Sequence, residues 1–274
     1  AMAVENVLRL VHEAYEVKIL ADIKDDAADR PRQSFTDFLK SFLVRKYGLK
    51  SIATKQLGEI YNSVIAQEAK LERVRCFGLI SGMVDKEGWS QGMCDFTLNM
   101  LKKVCDLDGR APNNISEWLS ADKEPGATPE AAALAMHEVS RTKVCPLAAS
   151  DSVIEEIGRL PKNEAGNVIV HNLLMFAIEY HKKSVVKVKS GFMKLFLQHD
   201  TNGDGVLELQ EFSAMIKNVS SMNDEREICA LYEEAAAFED DDDDTITKET
   251  FAELASKYQF ECPTEFLDDD PPPE

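Results

Sequence analysis

The sequence predicts an all-α fold, and three observations support this prediction. Apolar residues recur three or four positions apart through most of the first two thirds of the chain, as they do on one face of a helix. Serine, threonine, proline and glycine stand at positions where helices should begin or end. Alternation of apolar and polar residues, which is typical of strands, is almost confined to short loops.

The first two predicted helices lie near the N-terminus. An apolar stripe indicates the first one and consists of Val4, Val7, Leu8, Val11 and Tyr15. Residues 25–32 then form a polar connection that contains a proline. Ser34 has the position of an N-cap, with Asp37 three residues later, and Gly48 should end this second helix.

Further helices follow in the middle of the chain. One begins near Leu57, and its apolar pattern allows it to continue as far as Phe77. Ser90 should cap another helix. Thr128 followed by Pro129 is a start signal as well, because proline suits the first turn of a helix.

The most informative stretch runs from Asp200 to Glu211. Oxygen-bearing side chains occupy its positions one, three, five, nine and twelve, which are Asp200, Asn202, Asp204, Glu208 and Glu211. Glycine occupies the sixth position and leucine the eighth, and apolar residues at helical spacing flank both ends. This spacing resembles the calcium-binding loop of the EF-hand family.

The resemblance implies a Ca²⁺ site, with Mg²⁺ as the alternative ion. Ca²⁺ takes about six to eight oxygen ligands, so a short loop must direct several oxygens inwards. The implied ligands are five side chains and one backbone carbonyl: Asp200, Asn202, Asp204, Glu208, Glu211 and, through its carbonyl, Val206. Glu211 should supply both carboxylate oxygens, and Glu208 should bind directly or through a water.

The alternative interpretation is an acidic surface turn, because Asp, Asn and Gly are common in turns. We favour the metal site because the ligand positions, the glycine and the apolar eighth residue agree together. Gly205 should adopt a positive φ at little cost. Leu207 should point into the core from a short strand that pairs with a second loop. His199 departs from the family, which usually places an apolar residue just before the loop.

A second loop is expected nearby, because units of this family normally occur in pairs. With Ile246 at the eighth position, the candidate runs from Glu239 to Thr250. Its acidic ligand positions hold Glu239, Asp241 and Asp243. Asp244 replaces the glycine and Thr250 the final glutamate, so we predict a structural partner that binds Ca²⁺ weakly or not at all. The alternatives are a solvated acidic run, or a shifted loop in which Glu249 is a ligand.

Two weaker versions of the pattern lie upstream. One begins at Lys162 and has Ile169 at its eighth position. Its first and twelfth positions hold Lys162 and Leu173, so we expect no metal ion there. The loop starts at 162, 200 and 239 are 38 and 39 residues apart, close to one helix–loop–helix unit each. An earlier unit around Asp122 to Thr128 would keep this spacing.

These patterns predict four segments. Residues 1–110 form a helical bundle, and residues 111–184 form a helical region with a degenerate EF-hand-like unit. Residues 185–262 form an EF-hand pair with short paired loop strands. Residues 263–274 form an acidic, proline-rich tail.

Charge is distributed unevenly along the chain. The net charge is −18, and residues 200–274 hold 23 acidic against 4 basic residues. Nucleic acid is therefore excluded as a partner of this region, because phosphate binding requires a basic surface. Ca²⁺ and basic segments of proteins would be attracted. We expect a protein partner with a helical or basic segment, and the sequence specifies no oligomeric state.

Cysteine usage and motif searches favour a cytoplasmic protein without enzyme activity. The six cysteines show no CxxC spacing, which is typical of reduced thiols. No signal peptide is expected, and no apolar run is long enough to cross a membrane. The sequence contains no GxxxxGK[ST], GxGxxG, GxSxG or HExxH motif, and its five histidines are scattered singly.

The segment from Ser34 to Gly48 is similar to N-terminal helical segments of some ciliary and cytoskeletal adaptor proteins, through its aromatic and leucine spacing and its Lys-Tyr-Gly stop. An amphipathic core helix is the alternative explanation. The similarity implies a location at the cytoskeleton or in a cilium or flagellum.

Two functions follow from the predicted loop. In one, filling the loop with Ca²⁺ reorients the flanking helices and exposes Met193, Met215 or Met222 to a protein partner. In the alternative, the chain is a constitutive structural scaffold in which the bound ion only braces the fold.

Overall fold

The structure is a computed structural model that describes residues 2–121, 124–220, 222–237, 245–258 and 260–267, with only the backbone described at Ala121. In these residues the prediction of a mostly helical fold is confirmed. The helices are α1 (Val4–Ala27), α2 (Phe35–Tyr47), α3 (Lys50–Gln67), α4 (Glu72–Ile80), α5 (Gln91–Leu107), α6 (Ile115–Ala121), α7 (Pro129–Val139), α8 (Asp151–Ile157), α9 (Val170–His199), α10 (Leu209–Val219), α11 (Glu225–Ala236) and α12 (Lys248–Lys257). The strands are β1 (Gly126–Ala127), β2 (Val168–Ile169), β3 (Val206–Leu207) and β4 (Ile246–Thr247).

Two compact units divide the chain, Ala1–Lys182 and Lys183–Glu274, and each has its own apolar core. The core of the first unit takes side chains from α1 to α8 and from the start of α9. In the second unit, the ring centroid of Phe251 lies 5.7 Å from that of Phe192 and 6.5 Å from that of Phe212. These edge-to-face contacts join α9, α10 and α12. Within the described residues, every helix is too short or too polar to span a lipid bilayer.

The helix starts predicted at Ser34, Ser90 and Thr128 are confirmed, whereas the helix predicted to begin near Leu57 begins at Lys50. The Ser34 hydroxyl accepts a hydrogen bond from the Asp37 amide at 3.2 Å, and Ser90 accepts one from the Met93 amide at 3.1 Å. Pro129 opens α7 behind its N-cap, Thr128. At the other end of α2, Gly48 has a φ of +79°, a left-handed conformation that glycine adopts without a Cβ clash.

Ser34→Ala should lower the free energy of unfolding by about 1 kcal/mol, because the substitution leaves the first turn of α2 without its side-chain acceptor. Urea denaturation followed by circular dichroism measures this change. Ser51→Ala is the matched control, since Ser51 is an exposed residue in the first turn of α3. The control should stay within about 0.5 kcal/mol of the parent. Equal losses in both variants would contradict the capping role.

The apolar pattern between Leu57 and Phe77 belongs to two helices rather than one. Helix α3 ends at Gln67, and Leu71 adopts an extended conformation before α4 begins. The Gln67 carbonyl accepts hydrogen bonds from the amides of Lys70 and Leu71, both at 3.0 Å, which closes a turn. Both helices bury apolar residues in the same core, so the sequence pattern continues across the break.

The two sheets share one arrangement. Ala127 pairs with Val168 and Leu207 pairs with Ile246, both antiparallel, and a helix begins two residues after each of the four. The predicted pairing of Leu207 with the second loop is therefore confirmed. Upstream, Val168 and not Ile169 takes the position equivalent to Leu207, so that prediction is wrong by one residue. Val168 and Ile169 are both β-branched and suit a strand equally well. Only the pairing with the other strand decides which of them takes the eighth position.

A buried ion pair lies in the core of the first unit. Lys18 and Asp22 stand one turn apart on α1, and their side chains are only 1 % and 8 % exposed. The Lys18 ammonium donates to the Asp22 carboxylate and lies 5.9 Å from the ring centroid of Phe38. Burial raises the pKa of Asp22, and the nearby ammonium of Lys18 opposes that increase. The Lys18 ammonium therefore stabilises the buried Asp22 carboxylate, and Arg32 adds a weaker attraction.

Candidate metal centre

The candidate metal loop, residues 200–211, joins α9 to α10 in the second unit. The phenylalanines on either side are buried, Phe196 before the loop and Phe212 after it. Leu207 is fully buried and forms part of β3. Its carbonyl accepts a hydrogen bond from the Tyr232 hydroxyl at 3.3 Å, which fixes the strand against α11. The loop is therefore held by the core at both ends and at its eighth residue.

Two glycines shape the turn of the loop. Gly203 has a φ of +72° and Gly205 a φ of +84°, so the predicted positive φ of Gly205 is confirmed. A side chain at Gly205 would meet no atom within 4 Å, so backbone conformation and not space requires glycine there.

The first three predicted ligands are oriented by backbone amides of the same loop. Asp200 accepts from the amides of Gly203 and Gly205 at 2.8 and 2.9 Å, one on each carboxylate oxygen. Asn202 Oδ1 accepts from the Asp204 amide at 3.0 Å. Asp204 Oδ1 accepts from the Val206 amide at 3.0 Å, and its Oδ2 accepts from Asn202 Nδ2 at 2.8 Å. The backbone therefore wraps around these oxygens.

Glu211 reaches back from α10 to the start of the loop. Its Oε1 accepts from the amide and the hydroxyl of Thr201, at 2.9 and 2.6 Å. Its Oε2 accepts from the Glu208 amide at 3.3 Å. The hydrogen bond from the Thr201 hydroxyl is the main reason why the pKa of Glu211 is below its usual value. The side chain is therefore anionic at neutral pH.

Glu208 caps the N-terminus of α10, a structural role that we did not predict from the sequence. It is the N-cap of α10, and its side chain accepts from the Glu211 amide while Glu211 accepts from the Glu208 amide. This reciprocal arrangement is a capping box. The signal was present in the sequence as an acid at the helix start and a glutamate three residues later. Ligation by Glu208, directly or through a water, remains a prediction.

The chemistry of the loop fits a hard cation. Five side chains offer oxygen, four of them carboxylates, and Asn202, Asp204 and Glu208 are exposed. A carboxylate has about four acceptor positions, so the amide contacts do not exhaust Asp200 or Asp204. However, no three His, Cys, Asp or Glu side chains in the described part of the chain form a cluster able to hold a metal. Like charges repel, and a cation is what would draw these carboxylates together.

His199 lies at the end of α9, just before the loop. Its Nε2 is 3.1 Å from Asn218 Nδ2 on α10. Burial is the main cause that lowers its pKa, which favours the neutral ring. The neutral imidazole therefore links the two helices through a hydrogen bond from the Asn218 amide.

The second predicted loop is described only at its end. Glu239, Asp241, Asp243 and Asp244 lie outside the described residues. Thr247 caps α12 by accepting from the Thr250 amide at 3.3 Å, and the two hydroxyls are 3.2 Å apart. Thr247 and Thr250 thus occupy the helix positions that Glu208 and Glu211 occupy in α10, with neutral oxygens in place of charged ones.

The loop before α9 has the same kind of turn as the candidate metal loop but lacks its acidic residues at the first and last positions. Counted from Val168 as its eighth residue, it runs from Pro161 to Asn172, and Gly166 is at the sixth position with a φ of +80°. Asn163 accepts from the amides of Ala165 and Asn167, both at 3.1 Å. Its two ends supply no carboxylate, because they are a proline and an asparagine.

A scan of the sequence against protein-family models found no match, and searches of curated proteins and of solved structures found none either.

Proposed function

We propose that this chain is a calcium-binding regulatory or adaptor protein of the EF-hand type, with one ion bound by residues 200–211. The observation that carries the proposal is the agreement of sequence and geometry in this loop. Oxygen ligands stand at every position that the family uses, Gly205 has the left-handed conformation that the turn requires, and Leu207 pairs with Ile246.

Glu211 is the residue through which the ion would act. It belongs both to the candidate metal loop and to the first turn of α10, where it accepts hydrogen bonds from Thr201 and Glu208. If its carboxylate turns towards Ca²⁺, the start of α10 moves with it. Met215 and Ile216 on this helix are fully buried, so a rotation of α10 would expose apolar surface to a protein partner.

The partner we propose has a helical or basic segment, because residues 200–274 carry a large excess of negative charge. The resemblance of residues 34–48 to ciliary and cytoskeletal adaptors favours an assembly of that kind.

Calorimetric titration of the full chain with Ca²⁺, and separately with Mg²⁺, tests the proposal. We expect one site with a dissociation constant of about 10⁻⁷ to 10⁻⁵ M for Ca²⁺. An apolar dye added in Ca²⁺ and in chelator reports whether surface becomes exposed. Absence of Ca²⁺ binding at millimolar concentration would exclude the proposed site.

A structural role for the ion is the second candidate. The capping box already fixes Glu211 at the start of α10, and the amide contacts already shape the turn. Because the backbone turn is already formed, binding of an ion would need movement of the carboxylates but not of the helices. Tight binding without added dye fluorescence would favour this constitutive scaffold over a calcium-dependent switch.

A further inference from the structure

The last described segment of the second unit lies directly on α9. We call residues 260–267 the C-terminal strap. A Cβ placed on Gly191, inside α9, would lie 2.6 Å from the Cys262 sulfur, 3.1 Å from the Phe266 carbonyl oxygen and 3.3 Å from Leu267 Cδ2. The strap therefore lies so close to the helix backbone that only glycine leaves room for it at position 191.

The contact is apolar and shallow. Phe260, Cys262 and Phe266 are half-buried against the core of the second unit, where Val188 of α9 is half-buried too. A single 3₁₀ turn, Thr264–Phe266, shapes the strap, and the Phe266 amide donates to the Pro263 carbonyl at 3.1 Å. Residues of the core itself, such as Phe192 and Phe251, are almost fully buried. The strap covers the core without belonging to it.

The strap and this stretch of α9 carry opposite net charge along the sequence. Residues 183–194 of α9 contain four lysines and no acidic residue, within a unit that is otherwise strongly acidic. The strap carries Glu261 and Glu265, both exposed, and three aspartates follow it in the sequence. Complementary charge of this kind selects among apolar segments by favouring acidic ones.

We propose that the face of α9 around Val188 and Gly191 is a binding surface for a short acidic segment with aromatic and leucine anchors, and that the strap is its resident occupant. A partner protein with a segment of the same chemistry displaces the strap and takes its place. This partner differs from the basic one that the acidic loop region attracts, and the surface does not require calcium.

The first test measures how firmly the strap is held. The Cys262 thiol is half-buried and its pKa is raised to about 11, mainly by burial, so it should react slowly with iodoacetamide in the full chain. Gly191→Ala should raise that rate at least tenfold, because the added methyl group displaces the strap, as judged by mass spectrometry of the Cys262 peptide. Gly58→Ala in α3 is the control, since a Cβ there meets nothing within 4 Å. An unchanged rate in Gly191→Ala overturns the proposal.

The second test supplies the occupant separately. A fluorescent peptide with the sequence of residues 260–270 is titrated into the full chain carrying Phe266→Ala, which loosens the strap but leaves Gly191 intact. We expect binding at least tenfold tighter than to the parent chain, and loss of that gain in the double variant F266A/G191A. Circular dichroism verifies that each variant is folded. Equal binding to the single and double variants would overturn the proposal.

Charge selection is tested with a second peptide, in which Glu261 and Glu265 are both replaced by lysine. It should bind the Phe266→Ala chain at least tenfold more weakly than the parent peptide, and the difference should shrink in high salt. Equal affinity for the two peptides would contradict an acidic partner.

Discussion

Glu211→Gln should weaken Ca²⁺ binding by about 10- to 100-fold, because the loss of a charge-assisted interaction of 1.5–3 kcal/mol corresponds to roughly one to two decades in affinity. Glutamine offers one neutral oxygen where the proposed site needs two charged ones. It still satisfies a capping box, since glutamate and glutamine both reach the N-cap amide. The start of α10 should therefore stay intact, and calorimetry would report the ligand alone.

Two controls make this result specific. Glu253→Gln removes the same charge from an exposed position on α12 and should leave the affinity nearly unchanged. Thr250→Ala should also have little effect, because the second loop is proposed to be passive. Unaltered binding in Glu211→Gln would favour the acidic surface turn over the metal site. Loss of binding in Thr250→Ala would show that the second loop is not passive.

Lys18→Met should lower the free energy of unfolding of the first unit by about 3–5 kcal/mol, because it leaves the Asp22 carboxylate buried without its cation. In a unit of this size each kcal/mol shifts the melting temperature by about 2–4 °C. Differential scanning calorimetry should therefore record a clear decrease. Lys24→Met is the matched control, since it makes the same substitution at an exposed position of α1, and it should change stability by less than about 0.5 kcal/mol.

The double variant Lys18→Met/Asp22→Leu separates charge from packing. Replacing a buried ion pair with apolar residues is often neutral, so it should recover most of the stability lost in the single variant. A loss in the double variant as large as in Lys18→Met would mean that volume, and not the unpaired carboxylate, causes the effect.

Local signals were sufficient to predict much of this fold. The cap at Ser34 and the stop at Gly48 depend on atoms within one or two turns, so the sequence alone specifies them. The break between α3 and α4 was missed because both helices bury the same apolar period. The prediction places Ile169 at the position that Val168 takes, because strand pairing between distant segments, and not residue type, decides the register.

The candidate site was predicted residue by residue, yet its hydrogen bonds were not. The sequence predicts Asp200 and Asp204 as metal ligands, and the structure adds that backbone amides of the loop donate hydrogen bonds to both. The buried pair on α1 was not predicted either, although a signal existed. Lys18 and Asp22 lie on the helical face that carries Val4 and Val11. Two charged residues within an apolar stripe therefore indicated a buried ion pair.

The turn before α9 carries a lesson for protein engineering. Gly166 there has nearly the same φ as Gly205, and Val168 pairs as Leu207 does, although Pro161 and Asn172 close the loop. Different residues therefore determine the path of the backbone and the supply of oxygen ligands. We therefore expect that carboxylate side chains substituted at the ligand positions of this upstream loop, such as Pro161 and Asn172, would give it the oxygens of the candidate metal loop without changing its backbone turn.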